Sequence, residues 1–181
     1  MDWRLILEYL TQLTGAFALA VPIGWERERF SRSAGLRTFP LVAAASCAFV
    51  LIGRSFIGDQ SEGHAEAHAR IIEGLMTGVG FIGGGAILKS SRRVHGTATA
   101  AGIWMTGALG AAAGHNRWEL AIVASVLTLG TLRWLGMMEQ RHLRKDREEA
   151  RRDGRDLPER PEEDEDDDDV KGDGKDAARR R

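Results

Sequence analysis

Apolar residues gather into five long runs along the first three quarters of the chain, with short polar stretches between them. The runs cover about Leu5 to Gly24, Phe39 to Ile57, Ile71 to Leu88, Thr97 to Gly114 and Trp118 to Gly136. Each approaches the roughly 20 residues a helix needs to cross the hydrocarbon core of a bilayer. The pattern therefore predicts an all-α membrane protein with five transmembrane helices. Tryptophans support the ends. Trp3 and Trp25 bracket the first run, and Trp118 and Trp134 bracket much of the fifth, where amphipathic rings settle at the level of lipid headgroups.

The polar stretches give the helices a direction. Arg27, Arg29, Arg32 and Arg37 lie between the first and second runs, whereas residues 58–69 hold no lysine or arginine. Lys89, Arg92 and Arg93 then precede the fourth run, and a single arginine, Arg117, precedes the fifth. Basic residues collect on the cytoplasmic side of a membrane, so the alternation places the N-terminus outside and the C-terminus inside. The first run reads as an anchor rather than a cleaved leader. Asp2 offsets Arg4 ahead of it, Glu8 and Gln12 interrupt it, and its arginines follow it.

Bulk composition at first contradicts this reading, since 28% of residues are charged and the mean hydropathy is −0.25. The contradiction disappears when the chain is divided near Gly136. Residues 1–136 hold 12 Lys+Arg against 9 Asp+Glu, and residues 137–181 hold 13 against 17. The expected organisation is a transmembrane domain over 1–136 and a charged cytoplasmic tail over 137–181. The tail would be helical to about residue 152, with pairs such as Arg144/Glu148 at i,i+4, and disordered beyond Pro158 and Pro161. Eight consecutive acidic residues fill 162–169. The one cysteine, Cys47, excludes an intrachain disulfide and a Cys-based zinc site. A net charge of −1 gives no electrostatic case for a nucleic-acid partner.

Small residues dominate the third and fourth runs. Ala98, Gly102, Thr106, Gly110 and Gly114 recur every fourth position, as do Gly74/Gly78 and Gly80/Gly84. Such stripes let helix backbones approach closely, which predicts contact between these two helices or across a homo-oligomer. Gly78 to Gly83 also spells G-x-G-x-x-G, but no strand precedes it and no acid follows about 20 positions on, so a dinucleotide site is not expected.

Charges inside spans are costly and mark candidate sites. Glu8 and Glu73 both fall toward the outer side in this topology, with Arg54 nearby. If they converge they form an acidic cation site suited to Mg²⁺, which takes oxygen ligands. If they do not, Arg54 pairs with one of them, or each side chain simply snorkels toward the membrane surface. His64 and His68 stand at i,i+4 but lack the H-E-x-x-H placement of a metalloprotease. No Ser/His or Asp/Asp pair occurs within the spans, so no enzyme and no organic cofactor are expected. On the inner side, Glu26, Arg27, Glu28 and Arg29 leave the first helix, and Arg37 and Thr38 open the second. The loop is short enough for Arg37 to return to Glu26 or Glu28. This density of mixed charge predicts a salt-bridge network or a surface on which another membrane complex docks.

These residues also carry a resemblance. Gly24-Trp25-Glu26-Arg27-Glu28-Arg29 followed by Ala34-Gly35-Leu36-Arg37-Thr38 resembles the first hairpin of the MgtC/SapB family, G-x-E-R-E-R and then G-L-R-T. Gly78-Val79-Gly80-Phe81-Ile82-Gly83-Gly84-Gly85 is similar to that family's G-I-G-F-L-G-A-G. Val94-His95-Gly96, with Thr99-Ala100-Ala101 and Trp104, resembles its V-x-G-L-T-T-A-A-x-x-W. The chain departs from the family at Ala67-His68-Ala69, where D-P-S is common, and at Gly74, Arg93 and Thr97. The resemblance implies a multi-pass protein of the bacterial inner membrane, tied to magnesium homeostasis or stress adaptation. It further implies a regulator of a membrane complex rather than a proven transporter; a small oligomeric Mg²⁺ or proton transporter is the alternative.

Overall fold

The computed structural model describes residues 2–30, 34–57, 64–89 and 94–134. Five helices make up nearly all of it: α1 (Trp3–Phe30), α2 (Thr38–Ile57), α3 (His64–Gly85), α4 (Thr97–Gly114) and α5 (118–134). Between α3 and α4 a two-residue antiparallel ladder sets β1 (Leu88–Lys89) against β2 (Val94–His95). The chain divides into two units, Met1–Gly136 and Met137–Arg181. Everything expected of the charged tail lies outside the described residues.

Two helices extend well past the hydropathy reading, for the same reason. Helix α1 continues six residues past Gly24, because Glu26, Arg27, Glu28 and Arg29 are good helix formers whatever their polarity. Helix α3 begins at His64, seven residues ahead of its apolar run, where Glu66 and Arg70 make an i,i+4 ion pair of 2.9 Å. Hydropathy locates the part of a helix that suits lipid, not the whole helix. At the other end of α3, the amides of Ala86 and Ile87 bond back to Gly83 and Gly84, and Leu88 passes into the ladder. Gly96 follows with φ of 83°, a left-handed backbone that glycine accepts readily. A Cβ there would also strike the carbonyl of Ala86.

The core lies where α2 and α4 cross, walled by α1 and α5. Phe39, Ala43, Cys47 and Val50 of α2 meet Ile103, Leu109 and Ala113 of α4, all essentially inaccessible. Buried polar groups sit among them. The hydroxyl of Thr106 donates to the carbonyl of Gly102, and that of Ser125 on α5 reaches the carbonyl of Leu19 on α1 at 2.7 Å. The outside of the bundle is apolar: Phe56 is 84% exposed, Phe81 85% and Val126 64%. Polar groups inside and apolar ones outside suit a lipid environment. Among the described residues, Trp3–Arg29 and Thr38–Phe56 are long and apolar enough to cross a membrane.

Candidate functional site

The end of the bundle where α1 turns into α2 is built by two glycines and two acids. A Cβ on Gly24 would lie 3.0 Å from the Cα of Leu36, so α1 touches the turn backbone to backbone. A Cβ on Gly35 would run into the Glu28 carboxylate and stand 3.2 Å from the Glu28 Cα. That closeness lets the Leu36 amide donate to Glu28 Oε2 at 2.9 Å. Gly35 in turn offers its carbonyl to the amides of Thr38 and Phe39, which starts α2. The acid of one helix thus secures the entrance of the next.

Glu26 is only 7% exposed, and its carboxylate lies 3.8 Å from Arg133 on α5. Arg37 therefore does not take the role its spacing predicted. Glu26 faces Arg133 and Glu28 serves a backbone amide, whereas Arg37 makes no ion pair among the described residues and points to the mouth of a groove. Arg27 is half-buried, and its Nε finds no hydrogen-bond partner among the described residues. Arg29 lies over the Trp25 ring at 5.6 Å, a cation–π contact worth about 0.5–1 kcal/mol at an exposed site. Glu26 is thus turned inward, whereas Glu28, Arg29 and Arg37 are exposed.

The groove runs between α2 and α3 and encloses about 880 Å³. Its walls are almost wholly apolar, among them Leu41, Phe49, Ile71 and Ile82, with Gly74 and Gly78 along one side. Arg37 and Thr38 stand at one end and Arg70 at the other.

At the opposite end of the bundle a smaller cavity, about 180 Å³, gathers Glu8, Tyr9, Arg54, Ser55 and His68 from three helices. Arg54 donates from Nη1 to the carbonyl of Gly114 at 2.8 Å, placing a cation at the C-terminus of α4, where the helix dipole favours it. The rings of His68 and His115 are 5.2 Å apart, centre to centre. The His115 pKa is lowered, first by burial and then by the positive fields of His68, Arg54 and Arg117.

The two glutamates of the expected cation site are not gathered in one cavity. Glu73 does not line the cavity that holds Glu8; it is exposed on α3, in the turn after His68 and Arg70. Glu8 shares its cavity with a guanidinium, which disfavours a bound cation, and its ion pair with Arg54 is not formed either. Among the described residues no three His, Cys, Asp or Glu side chains could hold a metal together. The side chain of His64 lies outside the described residues.

The small-residue stripes divide. On α4, a Cβ added at Gly102 would lie 3.0 Å from the Phe39 ring, one at Gly110 would meet the Ala43 carbonyl and Ser46 Cβ, and one at Gly114 would lie 2.8 Å from Val50. Thr106 continues the same buried line. The partner of that stripe is α2, not α3. On α3, a Cβ at Gly78, Gly80 or Gly84 would meet nothing within 4 Å. Helix α3 reaches α4 through other residues, with Gly83 near the Ala100 carbonyl and Val79 against Gly107. The G-x-G-x-x-G segment lies inside α3 and forms no strand-to-helix turn. The pairing of His68 with His115, the Arg54 cap and the Glu26–Arg133 pair all escape sequence reasoning. The one clue was that each is a charged or titratable residue at the edge of an apolar run.

The model of the MgtC family matches residues 13–141. Protein SrpB of Synechococcus elongatus is 41% identical over 139 residues, 72% of this chain and 75% of that protein. The putative magnesium transporter YhiD of Escherichia coli K12 is 38% identical over 67% of this chain and 58% of its own length. Protein MgtC of Brucella abortus is 36% identical over 71% and 52%. The chain thus spans only a little over half of those two relatives. No solved structure matches.

Proposed function

The chain belongs to the MgtC family, and from that membership and the geometry above we propose that it is a non-enzymatic regulator in the bacterial inner membrane, one that acts by docking on another membrane complex. In this reading all five helices cross the bilayer, with the N-terminus outside, the α1–α2 hairpin inside, and the charged tail following in the cytoplasm. The link to magnesium homeostasis draws on the name of the Escherichia coli relative, a putative magnesium transporter.

One observation carries the docking role. Both hairpin acids are engaged within the chain, the buried Glu26 toward Arg133 and the exposed Glu28 on the Leu36 amide, while Arg29 and Arg37 are exposed and have no carboxylate partner among the described residues. A hairpin fixed in this way presents a preorganised cationic face, which favours an acidic surface on the partner. The second reading, transport of Mg²⁺ or protons, is supported by the same relative's name. Against it stands the cavity at Glu8, where Arg54 places a positive charge beside the carboxylate.

Site-specific photocrosslinking from Leu36, 40% exposed beside the arginines, tests the proposal. The expected result is one membrane protein captured in cells, lost in the Arg29→Glu, Arg37→Glu double variant, and no ion flux from the purified chain in liposomes. Flux of Mg²⁺ or protons that disappears in a Glu8→Gln, Glu73→Gln variant would overturn it.

A further inference from the structure

We propose that the α2–α3 groove is a binding site for one anionic phospholipid, its phosphate at Arg37 and Thr38 and its acyl chain along the apolar walls. The inference rests on the bundle lying in a bilayer, and its geometry concerns a surface the docking role does not use in full. From Thr38 to Gly53 the groove follows about 22 Å of helix, enough for an acyl chain through one leaflet of a core about 30 Å thick. The walls offer such a chain Leu41, Phe49, Ile71 and Ile82, and nothing polar at mid-depth but Ser46.

The two ends differ in charge, and that difference identifies the occupant. Arg70 is neutralised by Glu66 at 2.9 Å. Arg37 makes no ion pair among the described residues, is exposed, and stands beside the hydroxyl of Thr38 and the positive end of the α2 dipole. An arginine with a hydroxyl at the rim of an apolar slot is complementary to a phosphate that carries hydrocarbon. A second copy fits less well. Two copies of like orientation, joined by a two-fold axis through this groove, would bring their Arg37 side chains to the same end, cation against cation.

Native mass spectrometry of the full chain in mild detergent tests the site, with phosphatidylglycerol and phosphatidylcholine of matched acyl chains as probes. We expect phosphatidylglycerol to be retained about fivefold better, the effect of one arginine on an anionic headgroup. Arg37→Gln should reduce it to the level of phosphatidylcholine. Gly78→Leu, at a position where an added Cβ meets nothing within 4 Å, should keep the helicity and lower retention of both lipids by filling the slot. Equal retention of the two lipids by the native chain, or undiminished phosphatidylglycerol on Arg37→Gln, overturns the site. A dimer mass abolished by Gly78→Leu, without lipid discrimination, assigns the groove to a second copy instead. Failure of the membrane reading would look different, since neither lipid would then be retained at all.

Discussion

Helices α3 and α4 carry the same sequence signal and meet opposite fates. Both carry small residues, glycine above all, at four-residue spacing. In α4 the repeat is buried, and its glycines lie against Phe39, the Ala43 carbonyl and Val50 of α2. In α3 the glycines at 78, 80 and 84 face open space, and the helix touches α4 through Gly83 and Val79 and α2 through Ile71. A small-residue stripe therefore marks a helix face able to accept a close approach. It does not say whether the chain itself makes that approach. On α4 the stripe is part of the fold, whereas on α3 it leaves one wall of a groove.

The sharpest way to break this comparison is to give α4 a side chain where α2 already is. At Gly110 the obstacle is the Ala43 carbonyl and the Ser46 Cβ at 2.8 Å, with the Ala43 carbonyl carbon at 2.9 Å. Backbone cannot swing aside as a side chain can. Gly110→Val should destabilise the bundle by about 3 kcal/mol or more, at or beyond the upper end of overpacking costs. Chemical unfolding in detergent and the yield of folded protein from membranes would measure it. Accumulation at the native level would mean that α2 and α4 do not cross there.

A smaller effect is expected at the hairpin, because what a Cβ on Gly35 meets first is the end of the flexible Glu28 side chain. The carboxylate can move away, but only by giving up its bond to the Leu36 amide. Gly35→Ala should therefore cost about 1.5 kcal/mol, the lower end of the range for one hydrogen bond to a charged group, since the carboxylate is exposed. Glu28→Ala should cost a similar amount, and the double variant much less than the sum, since both act through one bond. Additive costs would separate the glycine from the acid.

The third effect depends on pH and sits at the other end of the molecule. His115 has a lowered pKa in the folded chain, so the folded state binds fewer protons than the unfolded chain as the solution acidifies. Its contribution is whole above the ordinary histidine value of about 6.5 and is lost as pH falls from there through the folded value. Melting temperature should decline between about pH 7.5 and 5.5, and His115→Gln should flatten the decline. His68→Gln removes one of the positive fields and should flatten it only in part. A native profile that stays level would show that the cluster carries no such linkage.

How far these features could be read in the sequence depends on whether they lie along a helix or between helices. The bounds of α4, Thr97–Gly114, coincide with its apolar run, and α2 differs from its run by one residue. Those are local properties of composition. Glu8 and Glu73 belonged together on depth alone, but a shared site also needs the right rotation of each helix about its axis. Hydropathy hardly encodes rotation in helices that are apolar on most sides. For the same reason the arginine placed between two acids by proximity, Arg37, lost both of them, one to a residue 107 positions away and the other to a backbone amide. The hairpin motif was legible as a motif. That Gly35 leaves room for Glu28, and Gly24 for the backbone of the turn, became visible only with the backbone in place.

The smallest expected effect is also the most discriminating, because it asks what covers α3. In detergent, Gly78→Ala adds a methyl group to open space and removes a residue that costs a helix about 1 kcal/mol relative to alanine. The variant should unfold no earlier than the native chain, and up to about 1 kcal/mol later. The same substitution in a bilayer brings in whatever occupies the groove. A lipid chain adapts to one methyl group, so the result should match that in detergent. A helix seated backbone to backbone on Gly74 and Gly78 could not adapt, and the variant would then lose stability only in the bilayer. A bilayer-specific loss would make the α3 stripe a contact surface like that of α4, completed by another molecule. An equal result in both settings would leave the two stripes as different as the single chain presents them.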